Sequence, residues 1–203
     1  MSKTLLVSLV LFGTLACTPI DPSRFGIGPS DSATTTRLNE IARTPDTLSE
    51  FFGGTTSKFY NPEFGTQIEY LAPDGTAYVA NSAIEGVATG DWLTAESPFL
   101  GAPADISLRY EADVFEITGP LGEGLQCRPG RLYAYVKDEV VRGDPLGLSS
   151  GDVAMSDILL SGDDVSLAEA FRALGKGRFR ASNRVTWDWR LAEPVSEGSV
   201  PPS

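Results

Sequence analysis

Residues 67–80, QIEYLAPDGTAYVA, decide the fold of this 203-residue chain. Two apolar-rich runs, Gln67 to Leu71 and Thr76 to Ala80, flank a turn sequence that contains Asp74 and Gly75. An Asp-Gly pair between two such runs is a strong signal for a β-hairpin, because glycine tolerates the positive φ that tight turns require. The segment therefore predicts two antiparallel strands.

Strand signals continue beyond this hairpin. A third strand is predicted to begin at Gly90, and a fourth alternates apolar and polar residues from Ile106 to Val114. A second hairpin is predicted from Leu125 to Cys127 and from Leu132 to Val141, with its turn at residues 128–130. Regular spacing of strand signals is typical of an antiparallel meander or a small barrel.

Short helices are predicted at both ends of the strand region. The first covers Thr36 to Arg43, and a capping box from Thr47 to Glu50 opens the second, which ends at Gly53. A further capping box, from Ser166 to Glu169, opens a third. The predicted fold class is mainly β, an antiparallel meander or small barrel with two or three short helices, in a single domain of residues 34–192.

The N-terminus carries the features of an export signal. Lys3 precedes an apolar run over residues 5–16, which is too short to cross a bilayer but suits a cleavable signal. The sequence GTLAC at residues 13–17 resembles the lipobox of bacterial lipoproteins. The resemblance implies a signal peptide over residues 1–16 and an acylated Cys17 that becomes the new N-terminus. The alternative is an ordinary secretory signal followed by a coincidental cysteine.

The location of the mature protein follows from the same resemblance. Thr18, and not Asp, follows the cysteine, which by the sorting rule of Gram-negative lipoproteins implies the outer membrane, facing the periplasm. Residues 17–33 are expected to form the lipidated cysteine and a flexible tether, and residues 193–203 a disordered tail. The segment 48–95, with its YLAPDG turn and later GDW, resembles a group of small alphaproteobacterial envelope lipoproteins that have no assigned activity.

Composition excludes several function classes. The chain contains no histidine, which rules out Ser-His and Cys-His nucleophile pairs, histidine-ligated zinc and a histidine pH switch. A net charge of −11 argues against nucleic-acid binding, which needs a local excess of cations. Aspartates near the C-terminal end lack the alternate spacing of an EF-hand loop, so neither a metal nor a cofactor is predicted: Asp152, Asp157, Asp163 and Asp164.

Positive charge is concentrated towards the C-terminus. Alternate positions of a predicted final strand, residues 178–191, carry the arginines Arg178, Arg180, Arg184 and Arg190. This face is a candidate site for an anionic glycolipid, lipid headgroups or an acidic partner. The alternative is a sheet face that pairs with an acidic neighbouring strand.

Candidate catalytic residues are few. Glu111 and Asp113, with Glu116, are the best carboxylates for a glycosidase-like acid and base, and exposure on the polar face of a strand is the alternative. Cys127 is either a nucleophile whose pKa Arg128 lowers or a small buried apolar group. If Cys17 is acylated, Cys127 has no intramolecular disulfide partner, because the chain has two cysteines.

The leading functional hypothesis is a lipid-anchored cell-envelope protein that acts as a non-enzymatic binding or assembly factor. Its expected partners are the membrane, through the anchor, and an envelope protein or an anionic glycolipid. Two alternatives stay open: an envelope glycan hydrolase that uses carboxylates, and a carrier with an interior site for a lipid or small molecule.

Overall fold

The computed structural model of the protein describes residues 32–62, 65–97, 103–110, 115–116, 119–120, 126–151, 153–155, 157–159 and 162–176. The helices are α1 (Ser32–Ile41), α2 (Pro45–Phe52), α3 (Gly130–Tyr135) and α4 (Leu167–Ala173), with a 3₁₀ turn at Leu148–Ser150. The strands are β1 (Thr55–Asn61), β2 (Gly65–Leu71), β3 (Thr76–Ala80), β4 (Ala88–Glu96), β5 (Ala104–Tyr110), β6 (Phe115–Glu116), β7 (Gly119–Pro120), β8 (Gln126–Pro129) and β9 (Glu139–Arg142).

Seven strands form one antiparallel sheet in the order β8-β5-β4-β3-β2-β1-β9. Strands β1 to β5 are neighbours in sequence order, which makes the centre of the sheet a meander, and the sheet curves into a half-barrel. Strands β6 and β7 pair separately. The predicted fold class, mainly β and antiparallel, is confirmed, with four short α-helices in the described part of the chain.

The β2–β3 hairpin forms where the Asp-Gly pair predicts it. Tyr70 pairs with Tyr78 across the hairpin, and their rings stack with centroids 6.0 Å apart. Gly75 adopts φ +92°, and the carboxylate of Asp74 accepts a hydrogen bond from the Thr76 amide at 2.9 Å. The turn is therefore closed by local side-chain chemistry, since aspartate bonds to the backbone two residues on.

One side of the sheet, here called face A, packs against α1, α2 and α3. Phe52 of α2 is fully buried there, and the Trp92 indole donates a hydrogen bond to the Ala72 carbonyl at 2.8 Å. The strands contribute Leu71, Ala77, Trp92, Ile106, Leu108 and Val140 to this core. Leu48, Phe51 and Phe52 follow helical spacing, so α2 turns its apolar side to the sheet.

The other side of the sheet, face B, packs against the chain that follows β9. Ile68, Ala80 and Val141 contact a cluster that includes Leu148, Met155, Leu159 and Leu167. Helix α4 closes this layer, and its N-terminus carries the predicted capping box. Ser166 accepts a hydrogen bond from the Glu169 amide at 3.2 Å, and Glu169 accepts one from the Ser166 amide at 2.9 Å.

The predicted start of α2 is wrong by one helical turn. The N-cap is Thr44, not Thr47, because the Thr44 hydroxyl accepts from the Thr47 amide at 3.1 Å and Thr47 Oγ1 accepts from the Thr44 amide at 3.0 Å. Pro45 occupies the first helical position, where its fixed φ favours the helix and its missing N–H costs nothing.

The predicted second hairpin is wrong as well. Residues 130–135 form α3 instead of a strand, and β8 and β9 lie at opposite ends of the sheet. Gly130 shows why the chain turns into a helix here. A Cβ at this position would lie 2.5 Å from Leu48 Cδ2 and 3.0 Å from the Ala104 carbonyl oxygen, so only glycine lets α3 start so close to α2 and β5.

Strand β1 precedes the region in which strands are predicted. Its sequence, TTSKFYN, shows no apolar–polar alternation, yet its first five residues are all buried. Lys58 reaches face B, where its ammonium pairs with Asp164 and lies 3.9 Å from Asp138 and 4.0 Å from Glu139. Burial of a lysine among carboxylates is a tertiary feature that no local pattern indicates.

Several predicted segments lie outside the described residues. They are the signal peptide, the tether, residues 111–114 of the predicted fourth strand, the arginine-rich final strand and the tail. None of the helices in the described ranges has the length and apolar character needed to span a bilayer.

Candidate functional site

A buried polar cluster lies on face A beneath α3. Strand β2 alternates, so Gln67, Glu69 and Leu71 project to face A while Ile68 and Tyr70 project to face B. Glu69 pairs in register with Ser57 of β1 and Val79 of β3, which places it in the middle of the sheet. The carboxylate therefore lies in the protein interior, between the sheet and α3.

Four donors converge on the Glu69 carboxylate. Oε2 accepts hydrogen bonds from the Tyr133 hydroxyl at 2.8 Å and from Lys137 Nζ. Oε1 accepts from the Tyr110 hydroxyl at 3.1 Å and from Gln67 Nε2 at 3.2 Å. Tyr133 and Lys137 are four residues apart, so α3 and the turn after it present both side chains to the same carboxylate.

The pair of Glu69 and Lys137 is a fully buried salt bridge. The two side chains are 2% and 4% exposed. Burial by itself raises the pKa of Glu69, but the Lys137 ammonium and the hydrogen bonds from Lys137, Tyr133 and Tyr110 outweigh it, so the pKa lies below the usual carboxyl value. The Lys137 ammonium also lies 4.2 Å from the centre of the Tyr133 ring, a cation–π contact.

This arrangement favours the ionised form of Glu69 and holds the carboxylate between four donors. A carboxylate with a lowered pKa and four donors is a poor general acid, because it holds no proton near neutral pH. The same contacts join β2, β5 and α3 through one charge. A buried ion pair of this kind opposes alternative packings, because any other placement of α3 would leave a charge unpaired in the interior.

A small cavity adjoins the charge pair. Its volume is about 20 Å³, and both polar and apolar side chains line it: Phe59, Gln67, Glu69, Arg128, Leu132, Tyr133, Val136 and Lys137. This volume accommodates about one water molecule, far less than the roughly 300–1,000 Å³ of sites for small organic ligands.

A second buried carboxylate lies on face B. Asp105 of β5 is 2% exposed, and neither of its oxygens makes a hydrogen bond of ordinary geometry to a residue that the structure describes. Burial raises the pKa of Asp105, and the Ser97 side chain opposes this effect to a smaller extent. The two buried carboxylates of the described residues, Glu69 and Asp105, therefore lie on opposite faces of the sheet and cannot act on one bond together.

Cys127 lies on face B of β8, is 3% exposed and is disulfide-bonded. Its register partner Ser107 donates a hydrogen bond from Oγ to Sγ at 3.2 Å. The predicted burial is confirmed, and the alternative of a nucleophile is wrong for the disulfide-bonded state, since a disulfide sulfur is not a thiolate. Arg128 projects to face A and lines the cavity there. The other cysteine of the chain, Cys17, lies outside the described residues.

Most of the predicted site residues cannot be placed. Glu111, Asp113 and the arginines Arg178, Arg180, Arg184 and Arg190 lie outside the described residues, and for Glu116 only the backbone strand is described. Among the residues that the structure describes, no group of three or more potential metal ligands is found.

An open groove marks the surface between α2 and the β2–β3 turn. Its volume is about 470 Å³, and it is lined by Asp46, Ser49, Glu50, Gly53, Pro73 and Trp92. Both carboxylates lie one helical turn apart on α2, and the exposed Pro73 ring and the largely buried Trp92 indole contribute apolar surface to the lining. The groove is thus lined by two exposed carboxylates and by two apolar rings.

No protein-family model, curated protein or solved structure matches the chain. The interpretation of these sites therefore depends on their geometry and on the sequence motifs.

Proposed function

We propose that this chain is a lipid-anchored cell-envelope protein that acts as a non-enzymatic binding or assembly factor. The anchor rests on one observation, the GTLAC sequence at residues 13–17 that ends the apolar N-terminal run. Two or three acyl chains on Cys17 would hold the protein stably at the membrane, whereas one chain gives only marginal binding.

The arrangement of the buried carboxylates supports a role without catalysis. Glycoside hydrolysis needs two carboxyl groups on either side of one bond, roughly 5–10 Å apart, with one of them protonated. In the described part of the chain, Glu69 is ionised and fully hydrogen-bonded, and Asp105 lies on the opposite face of the sheet. The interior cavity next to Glu69 is also too small for a carried lipid.

The groove beside α2 is the surface that we assign to the partner. Asp46, Glu50 and Pro73 line it and are exposed, and Trp92 lines it with 6% of its surface exposed. A lysine or arginine side chain of a partner protein fits this chemistry, because its aliphatic stem can pack on the proline ring while its charge meets the carboxylates. The proposed partner is therefore an envelope protein with a basic segment.

Metabolic labelling with palmitate tests the anchor. Wild-type protein should incorporate label and fractionate with membranes, and the Cys17→Ala variant should do neither. Cys127→Ser is the matched control, because it removes the other cysteine and should keep the label. Label retained by Cys17→Ala would refute lipidation at this residue.

The disulfide state of Cys127 provides a second test of the lipid anchor. A thioether-linked lipid on Cys17 and a disulfide from the same sulfur exclude each other. In a lipidated molecule, Cys127 is therefore either reduced or bonded to a cysteine of another molecule. Mass spectrometry of the mature protein under non-reducing conditions distinguishes these states, and a peptide in which Cys17 is linked to Cys127 would refute the anchor.

In-cell crosslinking with a C-terminally tagged protein tests the partner. One dominant envelope protein should be captured by the wild type and lost from the Asp46→Lys/Glu50→Lys variant. The control, Glu85→Lys/Asp157→Lys, changes the net charge by the same amount at exposed positions outside the groove. Equal capture by all three proteins would contradict the groove assignment, and no capture by correctly exported wild type would contradict the binding role.

A further inference from the structure

We propose that the cavity beside the Glu69–Lys137 pair is a hydration site, in which one ordered water molecule completes the hydrogen bonding of the Lys137 ammonium. The inference concerns the interior of face A and does not depend on the lipid anchor or the partner.

The Lys137 ammonium has more donors than the acceptors around it satisfy. An ammonium group carries three N–H donors. One donates to Glu69 Oε2, and a second side of the group faces the Tyr133 ring at 4.2 Å. Within the part of the chain that the structure describes, no acceptor meets the third, although the side chain is only 4% exposed. A buried donor of a charged group without an acceptor is costly, so an acceptor is expected there.

The neighbouring Glu69 carboxylate has no unused acceptor position for another hydrogen bond. Both oxygens of Glu69 already accept two hydrogen bonds each, from Lys137, Tyr133, Tyr110 and Gln67. A carboxylate offers about four acceptor positions, and all four are used. The third Lys137 donor therefore needs an acceptor that the described side chains around it do not supply.

The size and the lining of the cavity suit one water molecule. Lys137 lines it, and its volume of about 20 Å³ exceeds the roughly 10–15 Å³ that one water molecule needs. A buried water also needs an acceptor for its own hydrogens. Gln67 lines the same cavity, and its Oε1 accepts one bond from Asn81 Nδ2 at 3.2 Å, which leaves a second lone pair for the water. A water molecule in the cavity can therefore accept a hydrogen bond from Lys137 and donate one to Gln67.

Crystallography of the wild-type protein tests the proposal. The expected result is one density peak in the cavity, about 2.7–3.2 Å from Lys137 Nζ, and no xenon uptake under pressure, because polar hydrated cavities do not bind it. A dry cavity that admits xenon would overturn the proposal. Bromide soaking separates water from a halide, since an anomalous bromine signal at the peak would show an anion site and equally overturn it.

A variant tests whether the Lys137 ammonium holds the water. Glu69→Gln/Lys137→Met removes the ammonium without leaving a buried charge and keeps an acceptor for a tyrosine hydroxyl, and should lose the water peak. A retained peak would show that Lys137 does not hold the water. If this variant does not fold, Lys137→Arg in the wild-type background moves the donors, and the peak should shift or disappear; an unchanged peak would contradict the role of Lys137.

Discussion

Removal of either partner of the Glu69–Lys137 pair is expected to destabilise the protein strongly. Lys137→Met leaves the Glu69 carboxylate, whose side chain is 2% exposed, as an uncompensated buried charge. Glu69→Gln does the same to the ammonium. Breaking a buried pair from one side costs about 3–5 kcal/mol, a large share of the ~5–15 kcal/mol that holds a domain folded.

The double variant Glu69→Gln/Lys137→Met should cost less than either single change. It leaves no buried charge, and the glutamine carbonyl still accepts from a tyrosine hydroxyl. With the glutamine oxygen in the place of Oε1, Tyr110 and Gln67 keep their acceptor and the Tyr133 hydroxyl loses its own, which costs about 1–3 kcal/mol. The stability losses of the two single variants together exceed the loss of the double variant by at least about 3 kcal/mol. This excess is the coupling energy of the pair in a double-mutant cycle.

Urea unfolding followed by tryptophan fluorescence measures these free energies, and Trp92 in the face A core makes the signal sensitive to packing. The matched control is the exposed pair Asp91–Arg109, whose side chains are each 59% exposed. Neutralising that pair should change the free energy of unfolding by only about 0–1 kcal/mol. Single Glu69 or Lys137 variants within that range, or a coupling near zero, would refute the interpretation of a buried charge pair.

The pH dependence of the folding stability provides a second test of the Glu69–Lys137 pair. The folded-state pKa of Glu69 lies below its ordinary value of 4.5, so its stabilising contribution is fully present above that pH. It is lost as the pH falls through the folded-state pKa, because the unfolded chain then binds the proton more readily than the folded one. The advantage of wild type over Glu69→Gln should therefore shrink below pH 4.5, and an advantage that grows on acidification would contradict the assignment.

Three further changes have definite expected outcomes. Asp105→Asn should raise the melting temperature at pH 7, because burial raises the pKa of Asp105 and its ionised form opposes folding. This increase should vanish below pH 3.8, the ordinary pKa of the group, and a lower melting temperature at pH 7 would contradict the reasoning. Gly90→Ala should cost at least about 1–3 kcal/mol in thermal unfolding, since its Cβ would lie 2.0 Å from a β5 carbonyl oxygen, whereas exposed Thr89→Ala should have little effect. Ser166→Ala should cost about 1 kcal/mol and speed amide exchange in α4; unchanged exchange would show that the cap is not needed.

The sequence predicts some elements well and others wrongly for one physical reason. Signals contained within about four residues, such as the Asp74–Gly75 turn and the Ser166 cap, act whatever the rest of the chain does. Residues 130–135 carry no such signal, because Gly130 and the aromatic residues after it suit a strand turn as well as a helix. Packing against Leu48 and Ala104 settles the choice, and those residues are distant in sequence.

The buried charge pair could not be predicted for a related reason. On β2, the neighbours Ile68 and Tyr70 suggest that Glu69 faces solvent, since an alternating strand is commonly half buried. Glu69 is buried because both faces of this sheet are covered, by α1 to α3 on one side and the chain after β9 on the other. Its partner Lys137 is 68 residues away, and the predicted strand over residues 132–141 assigned that lysine to the wrong kind of element.

By itself, the sequence determined the mainly β antiparallel class, the central hairpin and the capped helix α4, because turn residues, alternation and caps are short-range chemistry. It also motivates the lipid anchor, which stays a proposal. Only the tertiary structure decided the helical state of α3, the burial of β1 and the joining of Glu69 with Tyr110, Tyr133 and Lys137. The physical reason is that burial and charge pairing depend on which segments cover each face of the sheet, and no local pattern contains that information.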